Sequence, residues 1–252
     1  MKIFILFLLF LPFFSCGKNE KNPETAKLAN VKAIIIEATG VNHARWNALL
    51  QKNVLKNGNV NYKGFQKDSK ELKLYLNELS SNAPTKSWSR NATLAYWINA
   101  YNAYTVQLIL NNYPTKSIKD ISDPWSKKFI SIGTKKYSLE DIENDILRKM
   151  NEPRIHFAIN CASVSCPELL NEAFTESKME KQFVTVTKNF VNDKSKNVIT
   201  SNKIEISKLF DWFAVDFKNK GSVIDFLNAY SSVKINSNAK VGYKNYNWGL
   251  NE

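Results

Sequence analysis

The segment from Ser89 to Asn111 constrains the fold more than any other part of this chain. Its apolar side chains recur at the spacing of a helix with 3.6 residues per turn, and they include Leu94, Trp97, Ile98, Tyr101, Leu108 and Ile109. Pro114 follows closely, and a helix rarely continues through proline because proline has no backbone N–H. The pattern therefore predicts one long helix that stops before Pro114.

Other segments show the same periodicity over shorter lengths. We predict a helix around residues 46–54 that Asn42 caps, and a second around residues 72–79 that ends before Pro84. The Ser138–Asp141 sequence is typical of a capping box and predicts a helix that reaches Met150. Later helices are predicted at residues 175–191, 208–217 and 222–230. Within residues 208–217 we predict Trp212 and Phe217 as core residues and Asp216 as a salt-bridge partner. We predict His43, at the start of the first helix, as a surface residue.

Three segments have the character of strands. Residues 128–137 predict a hairpin that turns at Gly133, and residues 198–206 predict another that turns at Ser201 and Asn202. Residues 155–160 predict a single strand. The fold class that results is α+β, with a helical first half packed on a small, mostly antiparallel sheet.

The first residues have the features of an export signal. Lys2 precedes an apolar run over residues 3–14, which is shorter than the about 20 residues that span a bilayer. Cys16 comes next, and a polar segment follows it. The pattern resembles a bacterial lipoprotein signal, in which Cys16 becomes the lipidated first residue. The alternative is an ordinary signal peptide followed by a cysteine that carries no lipid.

We therefore predict a signal peptide at residues 1–15, a tether at 16–41 and a single α+β domain at 42–252. Lipidation at Cys16 would anchor the protein in the bacterial cell envelope, on the periplasmic face or at the outer membrane or surface. The membrane would then be one partner through the lipid anchor. The sequence leaves the substrate or protein partner of the domain unidentified.

The formal charge of +12 invites a nucleic-acid function, but the basic residues do not support it. The chain contains 31 lysines and only four arginines, and the lysines are scattered without a run of five. Arginine supplies the paired donors that grip phosphates and base edges, whereas lysine is a hydrated point charge. We therefore predict no nucleic-acid partner.

Chemistry concentrates in residues 154–169, which hold one histidine and both remaining cysteines. On a strand, His156 and Asn160 would share a face, while Cys161 would lie on the other face, about 16 Å from His156. Pro167 suits the first position of a helix and would make Cys166 its N-cap, where the thiolate is stabilised. We therefore predict Cys166 as the nucleophile and His156 as its general base, with Asn160 in a supporting role.

Several alternatives remain open for these residues. His156 would also suit a hydrogen-bonded position in the core, and Cys161 and Cys166 would suit a disulfide in an exported protein. A zinc site from these three residues has the right ligand types, but its spacing matches no common site and lacks an evident fourth ligand. Asn99 and Asn102 share a helix face, where they would form a buried amide network or would orient His156 and donate to an oxyanion.

Three motifs carry a resemblance to a known family. They are residues 97–103 (WINAYNA), residues 138–143 (SLEDIE) and residues 246–251 (YNWGLN), together with the cysteine segment. Over residues 85–250 the chain resembles the domain-of-unknown-function 547 family, for which no activity is settled. By analogy, its His-then-Cys segment and asparagine-rich helix imply a papain- or transglutaminase-like cysteine enzyme.

Two functions follow. The first is a cysteine-dependent hydrolase or acyl transferase that acts on amide or ester bonds. The second is a non-catalytic envelope lipoprotein that binds a partner and carries a Cys161–Cys166 disulfide. The sequence contains no phosphate-binding glycine loop and no His-x-x-x-His spacing, so we predict no cofactor and no metal site.

Overall fold

Helices dominate the first half of the protein in a computed structural model that describes residues 40–218 and 221–252. The predicted signal peptide, Cys16 and nearly all of the predicted tether lie outside these residues. The first helices are α1 (Ala44–Asn53), α2 (Tyr62–Lys67), α3 (Ser69–Ser81) and α4 (Arg90–Asn111). The predicted long helix is confirmed as α4, which starts after Ser89, whose side chain accepts a hydrogen bond from the Ala92 N–H.

Helix α4 is the centre of the fold. Every residue from Leu94 to Val106 is buried, so protein surrounds the helix on all sides. Helix α3 lies against it, and the Tyr96 hydroxyl donates to the Leu79 carbonyl at 2.7 Å. Helix α1 packs on α3 through a stacked Trp46–Tyr75 pair.

His43, which the sequence suggested as a surface residue, is buried beside the start of α1. Only 8% of its surface is exposed, and its Nδ1 lies 2.7 Å from the Tyr75 hydroxyl. The side chain is buried because Tyr75 of α3 provides a hydrogen-bond partner inside the protein. The N-cap of α1 is His43 rather than the predicted Asn42, although the Asn42 side chain accepts a hydrogen bond from the Ala44 N–H.

The first predicted hairpin is confirmed as β1 (Ile130–Ile132) and β2 (Lys135–Tyr137). Ile132 pairs with Lys135 across a two-residue turn. Gly133 in that turn has a φ of +58°, a conformation that glycine adopts without steric cost.

The capping box that follows is also confirmed, but the helix that it opens is unusual. The Ser138 N–H donates to the Asp141 carboxylate, and the Asp141 N–H donates to the Ser138 hydroxyl. The residues Asp141–Leu147 then form a π-helical segment, and Arg148–Met150 form a 3₁₀ turn. Such π-helical turns are uncommon and often occur at functional sites.

The predicted strand over residues 155–160 is wrong, because Ile155–Ala158 forms a short helix, α5. Asn102 of α4 holds the backbone where this helix ends. Its Nδ2 donates to the Ala158 carbonyl at 2.9 Å, and its Oδ1 accepts from the Asn160 N–H at 2.8 Å. These long-range hydrogen bonds override the strand propensity of the isoleucines, and all residues from 155 to 160 are buried rather than alternating between faces.

The second half contains α6 (Met179–Asn192), β3 (Val198–Ile199), β4 (Lys203–Ile206), α7 (Leu209–Trp212), α8 (Ala214–Phe217), α9 (Val223–Asn228) and β5 (Lys240–Tyr243). Strands β3 and β4 form the second predicted hairpin, and β5 adds to β4 in a parallel direction. In the described chain the β1–β2 and β3–β4 pairs are antiparallel. The predicted α+β class is confirmed, although the strands form two sheets rather than one.

Residues 249–251 follow β5 and contact earlier parts of the chain. Gly249 bridges to Ser117 and Leu250 bridges to Ser163, and the Asn251 carbonyl accepts from the Val60 N–H. None of the helices in the described chain combines the length and the apolar composition that crossing a lipid bilayer requires.

Candidate functional site

Both cysteines of the predicted site lie on a tight loop after α5. Asn160 folds this loop, because its Oδ1 accepts from the Ala162 N–H at 2.9 Å and its Nδ2 donates to the Pro167 carbonyl at 2.7 Å. Ala162 has a φ of +59°, which is uncommon for a residue with a side chain. The turn brings the sulfur atoms of Cys161 and Cys166 to 2.9 Å, and both are free cysteines.

Cys166 is not the N-cap of a helix, so that prediction is wrong. Residues 167–170 are not helical, because the Pro167 carbonyl accepts the Asn160 side chain and the loop stays extended. Cys166 is only 7% exposed, and burial raises the pKa of its thiol. The physical basis for choosing Cys166 as the nucleophile is therefore absent.

Cys161 has the environment that was expected of Cys166. The hydrogen bond between the two thiols outweighs burial and lowers the pKa of Cys161, and contacts with Ser163 and Tyr246 lower it further. The Cys161 sulfur lies 3.2 Å from the Ser163 hydroxyl and 3.4 Å from the Tyr246 hydroxyl. Burial raises the pKa of Tyr246, so its hydroxyl keeps the proton that it can donate to a thiolate. Cys161 is also partly exposed, and a thiolate with solvent access is the reactive form of cysteine.

His156 is deeply buried and is held by a hydrogen bond to Asp216. Its Nε2 lies 2.8 Å from Asp216 Oδ2, and its ring stacks on Phe213 with centroids 4.0 Å apart. Burial lowers the pKa of His156 and outweighs the opposing effect of Asp216, so the ring is neutral near pH 7. Its proton then lies on Nε2 as a donor to Asp216, and Nδ1 is left as a hydrogen-bond acceptor.

Asp216 is itself fixed by Arg148, which confirms it as a salt-bridge residue. The Arg148 guanidinium donates to both carboxylate oxygens, at 2.6 Å and 3.0 Å. Burial acts to raise the pKa of Asp216, but hydrogen bonds from His156 and Arg148 outweigh it and hold that pKa well below the usual range. The ionised carboxylate therefore orients the imidazole.

Glu143 on the π-helical segment faces the same histidine from the other side. Its Oε1 lies 3.9 Å from His156 Nδ1, and its Oε2 accepts from the Tyr101 hydroxyl at 3.3 Å. Burial, followed by the nearby Cys161 charge, raises the pKa of Glu143 to about 7. A carboxyl group with such a pKa can both give and take a proton at neutral pH.

These groups line one cavity of about 380 Å³, which is within the size range of ligand pockets. Cys161, Cys166, His156 and Glu143 all contribute to its wall. The extended strand that the predicted separation of Cys161 and His156 assumed is absent, and both residues line the same cavity.

Aromatic rings form much of the remaining wall. Tyr246 and Trp248 pack against each other with centroids 4.5 Å apart, and Trp212 contacts both rings. Trp125 contacts Trp248 from a further side. Trp212 is 46% exposed, which corrects its prediction as a core residue, whereas Phe217 is buried as predicted.

The three predicted asparagines support the cavity from behind and are not among its lining residues. Asn99 bonds both the N–H and the carbonyl of Phe174, and Asn102 holds the end of α5 as described above. Asn160 fixes the cysteine loop. Their contacts are those of a buried amide network, and a direct catalytic role for them stays a prediction.

Sequence reasoning missed several lining residues. Glu143 and Tyr101 lie inside the motifs SLEDIE and WINAYNA, and Tyr246 and Trp248 lie inside YNWGLN. The motifs that carry the family resemblance contain these lining residues and could have pointed to them. The spacing of apolar residues alone assigned them to helix faces or to a loop. In residues 40–218 and 221–252, no group of three or more His, Cys, Asp or Glu side chains is arranged to hold a metal ion.

Comparison with known proteins gives one match. Residues 85–191 match the model of a family described as "Protein of unknown function, DUF547". No curated protein and no solved structure matches the chain. The matched residues include α4, the capping box, His156 and both loop cysteines, whereas the motif at 246–251 lies beyond them. Over residues 85–191 the chain is therefore similar to the DUF547 family.

Proposed function

We propose that this protein is an exported, lipid-anchored enzyme that transfers or hydrolyses acyl groups through Cys161. The observation that carries the proposal is the position of the Cys161 sulfur. Cys161 is partly exposed and lines a cavity, and its sulfur lies beside two hydroxyl groups and a thiol that lower its pKa. A low-pKa thiolate in an accessible cavity is the usual form of a cysteine nucleophile.

The reaction would proceed in two steps. The Cys161 thiolate attacks the carbonyl carbon of an amide or ester, the C–N or C–O bond breaks, and the leaving amine or alcohol takes a proton. A thioester to Cys161 then remains, and water or an acceptor amine attacks it and releases the thiolate.

Glu143 is the group best suited to move the protons. Its pKa of about 7 allows the protonated form to donate to the leaving group and the ionised form to activate the acceptor. His156 would assist through Nδ1, which lies 3.9 Å from the Glu143 carboxylate. Burial keeps this imidazole neutral, and Asp216, which Arg148 fixes in place, orients it.

The test is acylation of the purified protein by an activated ester such as p-nitrophenyl acetate. We expect a burst of nitrophenol, and a thioester on Cys161 that mass spectrometry detects after an acid quench. Cys161→Ala should abolish the burst, and Glu143→Gln should slow turnover by about 10²–10⁴-fold. Cys166→Ala should still be acylated at Cys161. Acylation that survives Cys161→Ala would refute the proposed nucleophile.

The envelope location is a further part of the proposal. Cys16 would carry the acyl chains, and the domain would face away from the cytoplasm. Metabolic labelling with a palmitate analogue should mark the full-length protein and should fail to mark Cys16→Ser. Equal labelling of both proteins would reject Cys16 as the anchor.

The approach of the two sulfur atoms favours a second candidate function. At 2.9 Å the Cys161 and Cys166 sulfurs are close enough that a disulfide would need little movement of the loop. The protein would then be a non-catalytic binding lipoprotein. Alkylation and mass spectrometry of protein isolated from cells without reductant decides between the two, because an enzyme requires Cys161 to be free.

A further inference from the structure

We propose that the cavity beside Cys161 binds a positively charged organic amine, so that the acyl donor or acceptor carries an alkylammonium group. This inference names a substrate class and rests on the proposed function for its catalytic meaning. The binding itself is independent of catalysis.

The cavity wall carries acidic side chains although the protein as a whole is basic. Its lining includes Glu140 at the exposed rim and Glu143 inside. Of the described residues that line the cavity, none is lysine or arginine. Arg148 lies close behind Phe213, but its guanidinium is engaged by both oxygens of Asp216. A thiolate at Cys161 would add a further negative charge.

Glu143 has an oxygen atom that the protein leaves without a strong partner. Its side chain is 15% exposed and its Oε1 lies 3.9 Å from His156 Nδ1, a nitrogen that has no proton in the neutral tautomer. Among the described residues, Oε1 accepts no hydrogen bond, whereas Oε2 accepts one from Tyr101. The raised pKa of Glu143 reflects this buried, poorly compensated charge. A cation in the cavity would compensate it.

The aromatic wall suits a cation that is bulky and weakly hydrated. Trp212, Tyr246 and Trp248 are in mutual contact and all line the cavity. The faces of such rings attract ammonium groups, and tryptophan attracts them most strongly. A neutral sugar could also stack on these rings, but it would leave the charge of the Glu143 carboxylate uncompensated.

The experiment compares choline with its neutral tert-butyl isostere, dimethylbutanol, on the full-length protein. The two probes have nearly the same shape and differ in charge. Quenching of tryptophan fluorescence and calorimetry report binding without any turnover. We expect choline to bind at least about 10-fold more tightly than the isostere. Because Glu143 has a pKa of about 7, choline should also bind more tightly at pH 8 than at pH 6.

Variants locate the site. Glu143→Gln should weaken choline binding by about 10-fold, and the exposed Trp212→Ala should weaken it without disturbing the core. Glu205→Gln is the matched control, because Glu205 lies on the exposed face of β4 and is not among the residues that line the cavity. Equal affinity for choline and the isostere, or tighter binding of a neutral disaccharide, would overturn the proposal.

Two further measurements identify the source of the amine and separate failure of the amine site from failure of the proposed enzyme. Butylammonium imitates a lysine side chain and choline imitates a lipid headgroup, so the tighter of the two identifies the source of the amine. Cys161→Ala should still bind choline. If that variant binds but the wild type is never acylated, the amine site stands and the proposed enzyme does not. If acylation occurs at Cys161 but choline does not bind, only the amine site is rejected.

Discussion

Replacing Asn102 by alanine tests how the protein holds its cysteine loop. Asn102 is 3% exposed, and its amide bonds the Ala158 carbonyl at 2.9 Å and the Asn160 N–H at 2.8 Å. Alanine at this position leaves both backbone groups buried without a partner. Alanine has the highest helix propensity, so the substitution does not destabilise α4 itself.

The expected cost follows from the two unsatisfied groups. Each buried polar group without a partner costs about 1–3 kcal/mol, so Asn102→Ala should reduce the free energy of unfolding by about 2–6 kcal/mol. The Asn160 N–H also positions the loop that carries Cys161. The variant should therefore show faster alkylation of Cys166, because the loop opens more often.

Urea unfolding followed by circular dichroism measures this change, with the m-value as a check that both proteins unfold in the same way. Gln107→Ala on the same helix is the control, because the Gln107 amide bonds only the exposed Asn111 side chain. We expect the control to change stability by less than about 0.5 kcal/mol. If Asn102→Ala lowers the free energy of unfolding by less than about 1 kcal/mol, the Asn102 side chain does not hold the end of α5 and the cysteine loop in place.

Three further predictions follow from the ionisable groups. Iodoacetamide at neutral pH should modify Cys161 before Cys166, and preferential labelling of Cys166 would contradict this. Cys166→Ala should move the pH dependence of Cys161 alkylation to higher pH, because the substitution removes the hydrogen bond that lowers the pKa of Cys161. Burial lowers the pKa of His43 to about 4, so the free energy of unfolding should fall by about 3 kcal/mol as the pH drops from about 6.5 to about 4. In His43→Leu, urea unfolding should show that most of this pH dependence is lost. Asp216→Asn should lower the free energy of unfolding by about 1–3 kcal/mol, because it leaves the Arg148 guanidinium without its anion; an unchanged thermal midpoint would contradict that pairing.

Local patterns in the sequence were enough to predict much of the fold. The helix at residues 90–111, the turn at Gly133 and the Ser138–Asp141 capping box each depend on residues that are close in the chain. Their signals are the spacing of apolar side chains, a residue that tolerates positive φ and a cap with its reciprocal partner. Tertiary contacts did not alter these elements.

The failures have a common cause in long-range hydrogen bonds. The backbone around Ala158 follows Asn102, which lies 56 residues earlier in the chain. His43 is buried because it meets Tyr75, which lies 32 residues later. Neither partner is visible in a local window. Propensity therefore assigned a strand to the first segment and a surface position to the second.

The candidate site was predictable only in part for the same reason. His156 and both cysteines were identified because they cluster in one short segment. Glu143 comes from the π-helical segment, and Tyr246 comes from a segment 85 residues after Cys161. The choice between the two thiols depended on contacts with Ser163 and Tyr246 that only the folded loop creates.

The separation between Cys161 and Tyr246 also sets an order of events during biosynthesis. A ribosome that adds about 5–20 residues per second needs roughly 4–17 s to proceed from one residue to the other. During that interval the cysteine loop exists without the tyrosine hydroxyl and without the Trp248 ring. Until Tyr246 and Trp248 are made, the nascent Cys161 thiol lacks one of the hydroxyl groups that lower its pKa and lacks part of the aromatic wall that encloses it.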